Sequence, residues 1–224
     1  MIPIEKINEN LVASYKAFKS VIIDNNSSQQ HGEVGWKNYQ TGIPKTVYSK
    51  QYEDLIRLRQ FSFLLRDKSA LQVYYQYDKE GLKKIRLAYY PYPQTINIKD
   101  EQIEVYLDEA LSDALETHYM LLHDLMGQSL SVSNTTHVRF DYDRDVTSHS
   151  TNHLQIDGIQ ELRIPFNYII TPFHFLDFII QSIFVDEYLK IKTTDSFTHL
   201  ASASNKLHKK VELDKEYRSV YLSI

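Results

Sequence analysis

The chain has 224 residues, 42% apolar and 24% charged, and its 25 Lys plus Arg against 29 Asp plus Glu give a formal net charge of −4. This composition suits a globular chain with one sizeable core, and the acidic balance excludes a general attraction to phosphate while leaving room for a local basic patch. Cysteine is absent, which excludes disulfides, thiolate nucleophiles and cysteine-ligated metal centres and leaves histidine and carboxylates as candidate metal ligands.

The opening Met1-Ile2-Pro3-Ile4-Glu5-Lys6 carries no apolar signal core, and no long unbroken apolar run follows. A cytoplasmic protein with no membrane partner is expected. Pro3 followed by Ile4, Ile7, Leu11, Tyr15, Phe18 and Ile22 predicts an amphipathic helix over 4–23. Residues 24–48, with Gly32, Gly35, Gly42 and Pro44 around the only tryptophan, Trp36, read as a long loop. A short helix is expected from Ser49 to Leu58.

From Gln60 the apolar period becomes two. Phe61, Phe63 and Leu65, then Leu71, Val73 and Tyr75, then Ile85, Leu87 and Tyr89 predict a three-stranded meander over 60–91, turning at Asp67-Lys68 and at Asp78 to Gly81 and stopped by Pro91 and Pro93. Asp100, Glu101 and Glu104 open a helix predicted over 100–126, with Gly127 as its cap and Leu107, Leu111, Ala114, His118, Leu121 and Leu125 as its stripe. Three short strands are expected within 136–165, with Asp157-Gly158 as a hairpin turn. Thr171-Pro172 supplies an N-cap and first residue for a helix over 171–189 that is apolar nearly all round, and 190–224 reads as a polar tail with an edge strand at Val220 to Leu222. The fold class expected is α+β: a single domain, 1–224, with an antiparallel sheet of about six strands packed against the long helix and the very apolar C-terminal helix.

Reactive side chains concentrate between His137 and Arg163: Arg139, Asp141, Asp143, Arg144, Asp145, His149, His153, Asp157 and Arg163. In a strand around Phe140, Arg139, Asp141 and Asp143 share one face while Val138 and Phe140 share the other. A returning strand from His153 brings His149 and His153 toward Asp141 and Asp143. Imidazoles poised by carboxylates, with arginines for a phosphate, suit phosphodiester cleavage. A solvated turn of ion pairs is the plainer outcome. The spacing of Asp141, Asp143, His149 and His153 matches no metal motif, so no metal or cofactor is predicted, and magnesium or manganese enters only with a hydrolase.

Tyr74, Tyr75, Tyr77, Tyr89, Tyr90 and Tyr92 lie on two adjacent strands with Lys83, Lys84 and Arg86 between them. Exposed, they would stack bases; packed across strands, they would only build the sheet. Trp36, Arg86, Tyr89 and Tyr90 are the candidate partner- or nucleic-acid-binding residues. His118 and His123, five apart, do not share a helix face, and His174 reads as a helix-start residue.

The segments Gln60-Phe61-Ser62-Phe63 before the Asp67 turn, Arg86-Leu87-Ala88-Tyr89-Tyr90-Pro91, Arg139-Phe140-Asp141-Tyr142-Asp143, His153-Leu154-Gln155-Ile156, Arg163-Ile164-Pro165 and Pro172 with Phe175 resemble, in order, an uncharacterised bacterial family, the domain of unknown function DUF2290. The resemblance implies a prokaryotic cytosolic protein from a mobile or defence-type locus and supplies no established activity. Gln155 stands where the family pattern has a second histidine, and His149-Ser150 stands where it has His-Pro; the first departure weakens a His-x-His metal site.

Two functions follow as expectations. The preferred one is a non-catalytic accessory protein that binds a protein partner; it expects Asp141, His149 and His153 as surface groups and Tyr89 or Trp36 in an exposed apolar patch. The alternative is a hydrolase of nucleic acid or nucleotides using Arg139, Asp141, Asp143, His149, His153 and Arg163, which must then converge in one cleft. A single-strand binder built on the tyrosine strands is the third.

Overall fold

The computed structural model describes residues 2–40, 48–93, 136–157, 159, 162–207 and 209–211. The helix expected over 100–126, with His118 and His123, and the edge strand at 220–222 lie outside the described residues. All described residues but Pro93 belong to one compact unit.

In chain order the elements are α1 (Ile4–Ala17), β1 (Ile22–Asn25), β2 (Ser27–Gln30), β3 (Glu33–Trp36), α2 (Tyr48–Arg57), β4 (Phe63–Leu65), β5 (Ala70–Asp78), β6 (Gly81–Tyr90), β7 (Val138–Asp143), β8 (Asn152–Ile156), β9 (Arg163–Pro165), β10 (Tyr168–Ile169), α3 (Pro172–Ile183), α4 (Val185–Lys192), α5 (Asp195–Leu207) and β11 (Lys209–Lys210). The fold is α+β. Its main sheet is antiparallel and runs β1-β4-β5-β6-β7-β8-β9, with β3 pairing β5 beyond β4 and β2 pairing β3. The six expected strands are all present as β4 to β9.

Two further strands, β2 and β3, occupy the segment expected to be a loop, and β1 straddles its boundary with the expected first helix. Ser27 to Gln30 carry no apolar alternation, so β2 is invisible to a pattern search, yet the hairpin closes at Gly32, whose φ of 74° suits glycine. Glu33 and Val34 then take the β5 ladder positions opposite Gln76 and Tyr75. Gly35 passes so close to Tyr74 that a Cβ there would lie 3.1 Å from the ring. The first helix also stops early, at Ala17. Phe18 and Val21 turn inward through Phe18 N–H to Ser14 O and Val21 N–H to Phe18 O bonds, and Ile22 faces Leu65 on β4 instead of extending a helical stripe.

Strand parity gives the sheet two different faces. Leu71, Val73 and Tyr75 on β5, Ile85 and Leu87 on β6 and Phe140 on β7 enter the main core with Ile7 and Leu11 of α1, Phe173, Phe175, Leu176, Ile179 and Ile180 of α3, and Phe197 and Leu200 of α5. The Tyr75 hydroxyl, deep in this core, donates to Ile170 O at 2.7 Å. Thr171 caps α3 as expected, its Oγ1 accepting from His174 N. The helix expected to reach 189 breaks at Phe184, where ψ is 56°, and restarts as α4. The segment read as a polar tail contains α5, which the sequence disguises because Phe197, Leu200 and Ser204 are its only buried residues.

On the opposite face, α2 covers one end, where Tyr52, Leu55, Phe61, Ala70, Ala88 and Tyr90 form a smaller core. The rest of that face is polar. No helix among the described residues is long and apolar enough to cross a membrane.

Candidate functional site

Cross-strand register assembles the charged residues. On the polar face Lys84 opposes Asp143 and Arg86 opposes Asp141 across β6–β7, Asp141 opposes His153 and Arg139 opposes Gln155 across β7–β8, and Gln155 opposes Arg163 across β8–β9. Directly opposed residues project to the same side. With His149 from the connection between β7 and β8, these side chains line one depression of about 210 Å³. All six residues singled out for catalysis, Arg139, Asp141, Asp143, His149, His153 and Arg163, border it.

The lining carries Lys84, Arg86, Arg139 and Arg163 against only Asp141 and Asp143. Lys84 Nζ lies 2.9 Å from Asp143 Oδ2, Arg139 Nε lies 2.5 Å from Asp141 Oδ2, and Arg86 Nε lies 3.5 Å from Asp141 Oδ1. Arg139 also donates to Gln155 Oε1 at 2.8 Å. Arg163 is exposed and has no ion-pair partner among the described residues. The depression is therefore locally positive within an acidic chain, and anions are drawn to it.

His153 is 4% exposed. Its Nδ1 lies 3.0 Å from Ser150 O, and since a carbonyl only accepts, Nδ1 carries the proton and Nε2 is left as an acceptor. Burial holds the ring below the usual histidine range, with His149 and Arg163 acting the same way and Asp141 and the Ser150 bond opposing. Nε2 faces Asp141 Oδ2 at 4.0 Å. Two acceptors at this separation leave a place for an O–H group at about 2.8 Å from each. His149 is half-buried, meets His153 edge to face at 4.8 Å between centroids, and shares a 2.9 Å hydrogen bond between Nδ1 and Ser148 Oγ.

Arg86 and Arg139 also border a second lobe of about 200 Å³, lined further by Trp36, Tyr39, Gln40, Gln51, Gln60, Gln72, Tyr90, His137 and Asp157. His137 stacks on Tyr90 at 4.5 Å. Burial pushes its pKa down to about 4, the field of Arg139 and Arg86 helping and Asp157 and Asp141 resisting. Its Nδ1 has no hydrogen bond among the described residues, and Asp157 Oδ2 lies 3.8 Å away. Gln60 holds the floor: Oε1 accepts from Trp36 Nε1 at 3.1 Å and from Gln40 N at 2.9 Å, and Nε2 donates to Asn38 O and Leu58 O.

The candidate binding residues do not form one surface. Trp36 is buried rather than displayed on a loop yet lines the second lobe with Arg86 and Tyr90, whereas Tyr89 belongs to the core side of β6. Tyr74, Tyr75 and Tyr90 are buried, so the stacking platform imagined for the tyrosine strands is absent at those positions; Lys83, Lys84 and Arg86 are tied to Asp145, Asp143 and Asp141. Arg144 pairs with Asp78, Glu80 and Asp145, a solvated rim whose screened pairs add little to stability. His174 sits at the helix start as expected, its ring against Thr171 Oγ1 and Asn205 Oδ1.

The role of His137 escaped sequence reasoning, although the signal was there: 137, 139 and 141 share parity, so any face that displays Arg139 and Asp141 also carries His137. Among the described residues no three His, Asp or Glu side chains are grouped to hold a metal ion.

The family model for the uncharacterized conserved proteins DUF2290 matches residues 16–224, and the chain belongs to that family. Neither a curated protein nor a solved structure matches it.

Proposed function

We propose that the positive depression binds a phosphodiester of nucleic acid or a nucleotide and hydrolyses it. The observation that carries this reading is the buried, neutral His153 with its Nε2 4.0 Å from Asp141, beside Arg163, which has no ion-pair partner among the described residues. A water between Nε2 and Asp141 gives its proton to His153 as its oxygen attacks phosphorus; the bond to the leaving oxygen breaks, and that oxygen takes a proton from His149 acting as general acid. Arg163, Arg86 and Arg139 hold the phosphate oxygens, where guanidinium forks stabilise the added negative charge. Asp143, tied to Lys84, keeps that side of the site in place. Should magnesium or manganese take part, Asp141 and Asp143 are the carboxylates available.

The test incubates purified protein with labelled single-stranded and structured RNA and DNA, with chelator or with magnesium or manganese. Cleavage is expected from the parent, a fall of about 100-fold or more in rate from His153→Gln, and weaker substrate binding from Arg163→Gln. A folded His153→Gln protein that cleaves as fast as the parent refutes the assignment.

A second reading, an accessory protein docking on a protein partner, is favoured by the exposed Phe178, Val185 and Leu189 on α3 and α4. It predicts that Val185→Asp releases a co-purifying protein while leaving nucleic-acid cleavage untouched. The setting proposed with either reading is the bacterial cytoplasm, in a mobile or defence-type locus, as the family resemblance implies.

A further inference from the structure

The second lobe contains buried polar atoms that have no hydrogen-bond partner among the described residues. Gln72 and Tyr90 are each 5% exposed and His137 3%. Gln72 Nε2 is used by Gln60 O at 2.7 Å, and among the described residues the buried His137 Nδ1 and Arg86 Nε, which border the lobe, have no hydrogen-bond partner. Buried polar atoms without a partner oppose folding, and two of them border this one small lobe. A ligand supplying complementary donors and acceptors recovers that cost.

The shape and company of these groups narrow the ligand. The lobe is walled by the rings of Trp36, Tyr39 and Tyr90 and by the amide of Gln51, so its occupant is flat and carries hydrogen-bonding edges. Arg86 and Arg139 border both lobes, so the same occupant continues into an anion. A volume of about 200 Å³ per lobe lies below the roughly 300–1,000 Å³ of sites that engulf a whole drug-sized ligand. Two adjoining lobes of that size, one cationic and one aromatic and amide-lined, match the two halves of a mononucleotide unit.

We infer that the second lobe is a nucleobase subsite, in which Gln72 Oε1 and the Tyr90 hydroxyl bond the polar edge of a base while its phosphate rests on Arg86, Arg139 and Arg163. This rests on the reading of the first lobe as a phosphate site. Gln60 takes no part in recognition, because all of its hydrogen-bonding capacity is spent on Trp36, Gln40, Asn38 and Leu58. Gln51, on the facing side of α2, is the second amide free to bond a base.

The experiment titrates the full-length protein with inorganic phosphate, ribose 5-phosphate and the four ribonucleoside 5′-monophosphates by calorimetry. At least one mononucleotide is expected to bind about tenfold or more tightly than ribose 5-phosphate, the discrimination of one or two well-placed base contacts. Gln72→Leu and, separately, Gln51→Ala should lower the affinity for that nucleotide toward the ribose 5-phosphate level and leave ribose 5-phosphate binding unchanged, whereas Arg163→Gln should weaken both alike. Gln51→Ala lies on a partly exposed helix position and keeps the test decisive if Gln72→Leu disturbs the fold. Equal binding of nucleotides and ribose 5-phosphate overturns the base subsite and leaves the phosphate site standing. No binding of any of these ligands overturns both.

Discussion

Replacing His137 with phenylalanine should make the protein resist acid better than its parent. Imidazole in an unfolded chain takes its proton near 6.5, whereas burial against Tyr90 beneath two arginines pushes His137 to about 4 in the fold. Between those values the unfolded chain binds the proton and the folded one does not, so the contribution of His137 to stability is complete above about pH 6.5 and is lost as the pH falls toward 4. At about 1.4 kcal/mol per pKa unit the loss comes to about 3 kcal/mol. Phenylalanine keeps a ring on Tyr90 and does not titrate; it also removes the unpartnered Nδ1, so at pH 7 the variant should be as stable as the parent or slightly more so. Urea unfolding followed by the fluorescence of the single, buried Trp36 measures both proteins at pH 7 and pH 4.5. Every other titrating group, His153 included, is common to the two and cancels in the difference. The stability difference in favour of His137→Phe should grow by about 2–3 kcal/mol on acidification. A difference that stays constant across that range refutes the desolvated, neutral His137 and the electrostatic picture of the second lobe with it.

Two other buried amides give stability tests of the same frame. Gln60→Leu strands the Trp36 indole N–H, the Gln40 N–H and two carbonyls, and should cost about 3 kcal/mol or more in urea unfolding; a loss under about 0.5 kcal/mol, the size of an ordinary surface change, would mean that Gln60 is not the anchor of the β3 end. Asn10 joins three helices, donating to Ser204 Oγ at 2.7 Å and accepting from Phe173 N at 2.8 Å, so Asn10→Leu should cost about 2 kcal/mol. Stability unchanged in that variant would show that α5 does not depend on this tie to α1.

What the sequence disclosed about the fold follows from how local each signal is. The strands β4 to β9 alternate apolar and polar residues because one sheet face meets the main core and the other does not, and that alternation is written residue by residue around Phe63, Val73, Leu87 and Phe140. The β2–β3 hairpin has no such text: Ser27 to Gln30 are polar on both sides, and the strand exists because β3 finds a free edge of β5 forty residues along the chain. Helix α5 is hidden for a related reason, since a stripe of Phe197, Leu200 and Ser204 is too thin to announce a buried face until Asn10 and Phe18 are placed against it. The break at Phe184 has neither glycine nor proline to mark it and is decided by packing.

The candidate site was legible for a stronger reason than composition. Once β7 is a strand, parity places Arg139, Asp141 and Asp143 on one side, and antiparallel pairing with β8 and β9 leaves little choice about where His153 and Arg163 must go. What parity could not supply is depth. It gives the same direction to His153, which is buried and held neutral, and to Asp143, which is half-exposed and paired with Lys84. Depth comes from neighbours distant in sequence: α2, Trp36 and Gln60 close over Tyr90 and His137 and convert one half of a charged sheet face into a lobe where His137 Nδ1 and Arg86 Nε are buried without a hydrogen-bond partner among the described residues. Buried groups of that kind oppose folding, and a sheet of this size could carry threonine or valine at those positions with less cost. The two border the second lobe beside Arg139 rather than being spread across the face, and a ligand bound there would recover the penalty.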